Sequence, residues 1–265
     1  MTSTKRRSDI SMIEIKSVKA AGKYFFKLML GDDTTMKLHQ DTVFKYGLLN
    51  AKTLDKPTFT AMKKDDEINT LTQKALDELA KKQLARRGLY RALKPYGEPA
   101  SINTVLDQLE QNGYLDDEKA LNRTVDDAIE FGSDGPVKLK HQLIKDGFET
   151  AAVLEALSRF DETLQQEKIR VLITRALRLG ANITRQKLKE RLMRNLYNKG
   201  YEPDVFMPVI EQELQATDLD ETALLEKRLT ALKGKYDLKD HKDKQKLIQK
   251  LMREGFTYES IKSKL

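Results

Sequence analysis

The sequence predicts a mainly α protein: tandem three-helix repeats forming an elongated curved array, preceded by a small antiparallel β meander. Three observations lead there. Breakers are few, with 13 Gly and 6 Pro in 265 residues, which favours helix. Hydrophobic residues make up 39% and charged residues 34%, a thin core that suits stacked helical layers better than one large globule. One pattern also recurs. Gly97, Gly147, Gly200 and Gly255 each have a leucine four residues before (Leu93, Leu143, Leu196, Leu251) and another eight before (Leu89, Leu139, Leu192, Leu247). Leucines four apart share a helix face, and a glycine can end a helix in the left-handed conformation. An aromatic follows three of the glycines: Phe148, Tyr201 and Phe256.

Taken in order, residues 1–11 read as a disordered start. Met12 to Lys19 alternates as a strand does, Tyr24 to Leu30 is aromatic-rich, and Thr34 to Leu38 is a short third strand; Gly22 and Gly31-Asp32-Asp33 mark the turns. Asp41 to Tyr46 is a short helix ended by Gly47, and residues 57–66 another. The β meander with its short helices thus occupies 12–66. Four units follow at 67–115, 116–160, 161–217 and 218–265. Each is too small to be stable alone, so neighbours must stack. The competing reading is one compact bundle with accidental periodicity.

Within Ile102 to Phe148 every boundary has a local cause. Gly113 ends a helix, Asp116 caps the next, and Asp117 and Glu118 sit at its positive end. Pro136 opens the following helix, and Gly147 ends it.

Composition excludes several chemistries. There is no cysteine, hence no disulfide, thiolate metal site or cysteine nucleophile. His39, His141 and His241 are far apart and form no ligand spacing, and no G-x-x-x-x-G-K-[ST] loop occurs. Gly132-Ser133-Asp134-Gly135 reads as a plain turn. No apolar run approaches the roughly 18 residues of a membrane span, and MTSTKRRSD lacks the apolar segment of a signal peptide. The expectation is a soluble, cytoplasmic, monomeric protein, not an enzyme, with no cofactor and no metal.

Charge points to a partner. The chain has 48 basic and 41 acidic residues, net +7, with a pI near 9.2. Residues 81–94 carry six basic side chains and no acid; 165–200 carry ten basic against Glu167 and Glu190; 233–253 carry eight against three. These runs fall largely on the second helix of three units. Stacked, they would form a stripe able to follow a phosphate backbone or an acidic protein surface. The candidate contacts are Arg86, Arg87, Arg91, Lys138, Lys140, Arg185, Lys187, Lys189, Arg191, Arg194, Lys246 and Lys250. A solvated face that binds nothing is the alternative.

Gly113-Tyr114-Leu115-Asp116-Asp117, then Gly135-Pro136 and a basic amphipathic helix from Leu139 to Gly147-Phe148, resembles the RecX family of bacterial regulators of the RecA recombinase. The likeness extends to the meander, to Lys45-Tyr46-Gly47-Leu48 and to Ala75–Leu79. It implies tandem three-helix repeats and a non-enzymatic protein. That protein binds RecA filaments on single-stranded DNA, with weak to modest DNA affinity alone, and suppresses recombinase activity in DNA repair and the SOS response. There are departures. Lys82, Gln83, Leu84 and Ala85 stand where the family often has an R-P-R-S cap, so the helix there is expected to join the one before it. Ala120 replaces a usual Phe, Asp126 and Asp127 replace basic residues, and a fourth unit makes this a long member. A general DNA-binding repeat protein with no RecA partner and a helical protein scaffold remain as alternatives.

Overall fold

The computed structural model describes residues 12–179, 183–232 and 234–265; the start expected at 1–11 lies outside them. Three strands form the meander: β1 (Met12–Ala20), β2 (Phe25–Leu30) and β3 (Thr35–His39). A fourth strand, β4 (Thr53–Asp55), pairs antiparallel with β1, so the sheet order is β3-β2-β1-β4. Three residues are too few to reveal a period of two, and β4 was not expected. Val18, Phe26, Leu28, Leu30, Met36 and Leu38 face one side and pack with Val43, Leu48 and Met62.

His39 caps the short helix α1 (Gln40–Lys45), its Nδ1 accepting the Asp41 N–H at 3.3 Å. Asp55 caps α2 (Lys56–Lys81), accepting the Thr58 N–H at 2.7 Å. The separate helix expected at 57–66 is the start of this 26-residue one; between Pro57 and Lys81 no Gly or Pro interrupts it. α2 serves two cores, with Met62 in the sheet core and Leu71 and Ala75 in a helical one.

The helices that follow are α3 (Arg86–Leu93), α4 (Pro99–Gln111), α5 (Asp117–Glu130), α6 (Pro136–Lys145), α7 (Thr150–Leu157), α8 (Glu162–Leu179), α9 (Arg185–Asn198), α10 (Pro203–Ala216), α11 (Glu221–Leu232), α12 (His241–Arg253) and α13 (Tyr258–Lys262). The chain divides between two compact units. The first holds residues up to Leu121 with Lys145–Phe148; the second holds Asn122–Ile144 and Glu149–Leu265.

The leucine pairs sit where their spacing places them. Seven of the eight are buried and Leu139 is half-buried. In the first unit Leu89 and Leu93 of α3 pack with Leu71, Ile102 and Leu106. In the second, Leu192 and Leu196 of α9 pack with Ile173, Phe206 and Ile210, and Leu247 and Leu251 of α12 pack with Leu225, Phe256 and Ile261.

The leucine, glycine and aromatic are parts of one helix stop. At the end of α9 the Tyr201 N–H donates to the Leu196 carbonyl at 3.1 Å and the Gly200 N–H to Tyr197 at 2.9 Å. At the end of α12, Phe256 and Gly255 do the same to Leu251 and Met252. This is the Schellman arrangement, in which an apolar residue just past the helix touches the one a turn inside it. Gly97 differs. α3 ends at Leu93, two residues before Pro95, and Gly97 is not among the glycines with positive φ. Its lack of a side chain instead lets Leu71 and Glu67 of α2 approach.

The break between α2 and α3, not expected from Lys82 to Ala85, is imposed by distant contacts. Lys82 is extended, and its Nζ lies 2.5 Å from Asp146. Leu84 and Ala85 are buried, and the Ala85 N–H donates to the Asp146 carbonyl at 3.2 Å. No local stop signal is needed where tertiary bonds hold the chain out of the helix.

That Ala85–Asp146 contact is one of three similar joints. In each, the carbonyl just before a helix-ending glycine accepts a hydrogen bond from the start of an earlier leucine-bearing helix. Asp146 accepts from Ala85 ahead of α3. Lys199 accepts from Gly135 ahead of α6 at 2.7 Å, with Val137 N–H donating to Gly200 at 3.1 Å. Glu254 accepts from the Thr184 hydroxyl ahead of α9 at 2.8 Å. The glycine makes room: a Cβ on Gly147 would overlap the backbone of Gly88, and one on Gly200 the backbone of Lys138. Beside the second joint Tyr201 is buried, and burial pushes its phenol up to about 12.

Gly47 and Gly147 both have positive φ, but only Gly147 faces a close neighbour. Gly47→Ala should cost about 1–2 kcal/mol for the left-handed conformation alone. Gly147→Ala should lose on the order of 1–3 kcal/mol more through overpacking at the joint. Urea unfolding of the two variants checks this; equal losses would mean that the close approach at Gly147 is unimportant.

Candidate interaction surface

Helix geometry sorts the basic residues of α9 onto two sides. Arg185 and Lys189, four apart, share one side; Lys187, Arg191 and Arg194 lie on the other. The first pair serves the fold. The Arg185 guanidinium donates to the carbonyls of Leu214 and Thr217 at the end of α10, where cations are favoured. Lys189 pairs with Glu211 of α10 at 3.1 Å. On the other side Lys187 pairs with Glu190 at 2.7 Å, and this hydrogen bond holds the Glu190 carboxyl below its usual range. Arg191 and Arg194 are exposed and make no ion pair among the described residues.

Lys187 and Arg191 also line a cleft of about 330 Å³ at the third joint. Arg228 of α11 and Arg253 of α12 join them, and Ile183, Leu224 and Phe256 form an apolar wall. Arg228 faces Glu254 at 3.4 Å, and Arg253 Nε donates to the Gln249 carbonyl at 3.3 Å. Four cations from three helices therefore converge against few carboxylates. Arg228 and Arg253 were absent from the residues expected from sequence. Arg253 lies in a basic run, but Arg228 sits in the acidic-rich stretch after Asp218 and carries no sequence signal.

In the first unit α3 shows the same sorting. Arg86 is held by Asp107 and Glu110 of α4, both at 2.7 Å. Its bond to Glu110 is the main reason that its guanidinium is pushed up. Arg86 and Arg185, both candidate contacts from sequence, reach helices of their own core. Arg91 is exposed but donates to the Lys145 carbonyl at 2.8 Å, at the end of α6. Arg87 is exposed and makes no ion pair among the described residues.

Of the remaining candidates, Lys138 pairs with Asp134 at 2.8 Å and Lys246 with Asp243 at 2.9 Å. Lys140 and Lys250 are half-exposed and make no ion pair among the described residues. The acids that replace basic residues have partners too: Asp126 binds Arg159 at 2.7 Å and Asp127 faces Arg123 at 3.9 Å. His141 is exposed.

The paired acids of the central motif divide their work. Asp116 caps its own helix, accepting the Lys119 N–H at 2.9 Å. Asp117 instead accepts the Arg86 N–H of α3 at 2.7 Å, where Ala85 has no side chain to cap with. The same division recurs at Asp220, which accepts from Ala223 at 2.8 Å, and Glu221, which accepts from Arg185 at 2.6 Å. Leu115-Asp116-Asp117 and Leu219-Asp220-Glu221 are therefore one device used twice, as is the arginine that opens α3 and α9. Between them Phe160-Asp161-Glu162 keeps the first half, with Asp161 capping α8 through Leu164 at 2.9 Å. There Pro136 opens α6, and a proline has no N–H for a second acid to accept.

These features define a mainly helical protein in which Arg87, Arg191 and Arg194 face outward and make no ion pair among the described residues. Comparison with known proteins names the group. The Regulatory protein RecX of Lactococcus lactis subsp. lactis is 27% identical over 241 residues, 88% of this chain and 89% of that one. The Regulatory protein RecX of Streptococcus thermophilus is 29% identical over 232 residues, covering 85% and 88%. A crystal structure of regulatory protein RecX aligns with 75% of this chain and 99% of that one, with a TM-score of 0.49 and 18% identity. No protein-family model matches the chain. Along nearly nine-tenths of its length the chain is thus similar to RecX regulatory proteins. Its relatives are named as regulatory proteins, not as enzymes. Among the described residues no helix is long and apolar enough to cross a membrane.

Asp117→Ala should destabilise the protein by about 1 kcal/mol, the usual scale for losing an N-cap, although Asp116 still caps α5. Asp117→Asn, which keeps an acceptor, should restore most of it. Thermal unfolding of both variants decides; an Asn variant as unstable as the Ala variant would refute the remote cap.

Proposed function

We propose that this protein regulates a RecA recombinase without catalysis, binding the RecA filament on single-stranded DNA and suppressing its ATPase, recombinase and coprotease activity. Similarity to RecX regulatory proteins over most of the chain supports the reading. The observation that carries it is the sorting of charge: Arg87, Arg191 and Arg194 face outward without ion pairs, while neighbouring cations are used inside the fold. Arginines left free on rigid helices suit phosphate or carboxylate recognition. We also read the helices as four tandem units: α2–α4, α5–α7, α8–α10 and α11–α13. On this reading the first unit begins at Lys56 rather than 67, because α2 is continuous. The partners on this reading are RecA and its DNA filament, with only modest affinity for DNA alone and a cytoplasmic, monomeric protein.

RecA's DNA-dependent ATP hydrolysis on single-stranded DNA is the test. Inhibition well below one protein per RecA is expected. Inhibition only at amounts that coat the DNA would favour a plain DNA-binding protein. Arg87→Glu with Arg191→Glu and Arg194→Glu should raise the half-inhibitory concentration on the order of tenfold or more, since each reversal turns an attraction into a repulsion. Helicity should not change. Full inhibition by this variant would exclude the three arginines as the contact.

A further inference from the structure

The sheet of the first unit carries a charge pattern that the helical surface does not include. Lys19 of β1 lies directly opposite Lys27 of β2, and Lys27 directly opposite Lys37 of β3. Their strand neighbours Val18, Phe26, Leu28, Met36 and Leu38 face the core, so the lysines face outward, and all three are exposed.

The next row on that face, Ser17, Met29 and Thr35, is uncharged. None of the three lysines makes an ion pair among the described residues. The contact Lys37 does make is with the Phe25 ring, 4.1 Å from its centroid. Acid is gathered near the β2–β3 turn instead, where Asp33 pairs with Lys16 at 2.7 Å.

Like charges directly opposite one another on neighbouring strands destabilise a sheet. Strands are about 4.8 Å apart, so three such lysines span roughly 10 Å of one face. Threonine at any of these positions would satisfy the fold better. Where a local rule is broken with no carboxylate beside the row, among the described residues, to offset it, the compensation is expected from a ligand. The ligand must be anionic and extended. Ammonium groups are compact point charges without the directional fork of a guanidinium, which suits contact with successive phosphates regardless of sequence. Ser17 and Thr35 add hydroxyl donors of the kind that bind phosphate oxygens, and the Phe25 ring lies beside the row.

We propose that the outer face of this sheet, through Lys19, Lys27 and Lys37, binds the phosphodiester backbone of a nucleic acid. The inference stands on the sheet alone and does not require a RecA partner.

The test uses the full chain and a fluorescent oligothymidylate, titrated at several salt concentrations. The variant is Lys19→Thr with Lys27→Thr and Lys37→Thr. Affinity should fall on the order of tenfold, and the slope of log affinity against log salt should become shallower by about two, since each single-strand phosphate contact contributes about 0.7. The unfolding midpoint should hold or rise, because the repulsion is gone. Lys27→Thr alone should keep the fold and change the slope by about 0.7. Unchanged affinity and slope in the triple variant would overturn the proposal and leave the row as a solvated face. Retained oligothymidylate binding with lost polyglutamate binding would overturn it in favour of an acidic protein surface.

Discussion

The structure depends on a hydrogen bond between helix ends. The last carbonyls of a helix and the first N–H groups of another are left without partners inside their own helices. At two joints these needs are met together by backbone N–H groups, and at a third a side-chain hydroxyl serves as the donor. The carbonyls of Asp146, Lys199 and Glu254 receive Ala85, Gly135 and Thr184. The opposed ends of two helix dipoles also attract. At Gly147 and Gly200 the contact brings backbones closer than a side chain allows, and at Gly255 it is the Thr184 side chain that comes this close. The aromatic after each glycine is buried, which anchors the joint in an apolar core.

Around the joints, charge has been divided between fold and surface. The arginines that open α3 and α9 reach across to α4 and α10, and their backbone N–H groups are accepted by Asp117 and Glu221. An acid pair at a helix start thus serves two helices at once. Outside this network stand Arg87, Arg191 and Arg194, which make no ion pair among the described residues, and the cleft between α9, α11 and α12. The count of 48 basic residues therefore overstates what is available to a partner, because several of them are already paired within the fold.

Much of this was legible. Leucines at four and eight residues before a glycine mark buried helix faces, and the aromatic after it marks the stop. The two sides of α9 are also separable by residue spacing alone; a single basic stripe along it ignores the helical period of about 3.6 residues. The division of labour between Asp116 and Asp117 was half legible. Asp116 is recognisable as a local cap, whereas the partner of Asp117 lies 31 residues away. The short strand β4 had no legible period, and the end of α2 had no local signal at all.

By itself the sequence determined the helical class, the first three strands and the leucines that face the core. Those follow from local propensity and from the periods of helix and strand, which need no knowledge of distant contacts. The tertiary structure alone decided where α2 stops, which arginines are used up inside the fold, and that Arg228 and Arg253 meet Lys187 and Arg191 in one cleft. It also decided that Lys19, Lys27 and Lys37 stand in one row. Each of these depends on which residues far apart in the chain become neighbours, and pairing register and helix-end contacts are set by packing, not by the residues next in line.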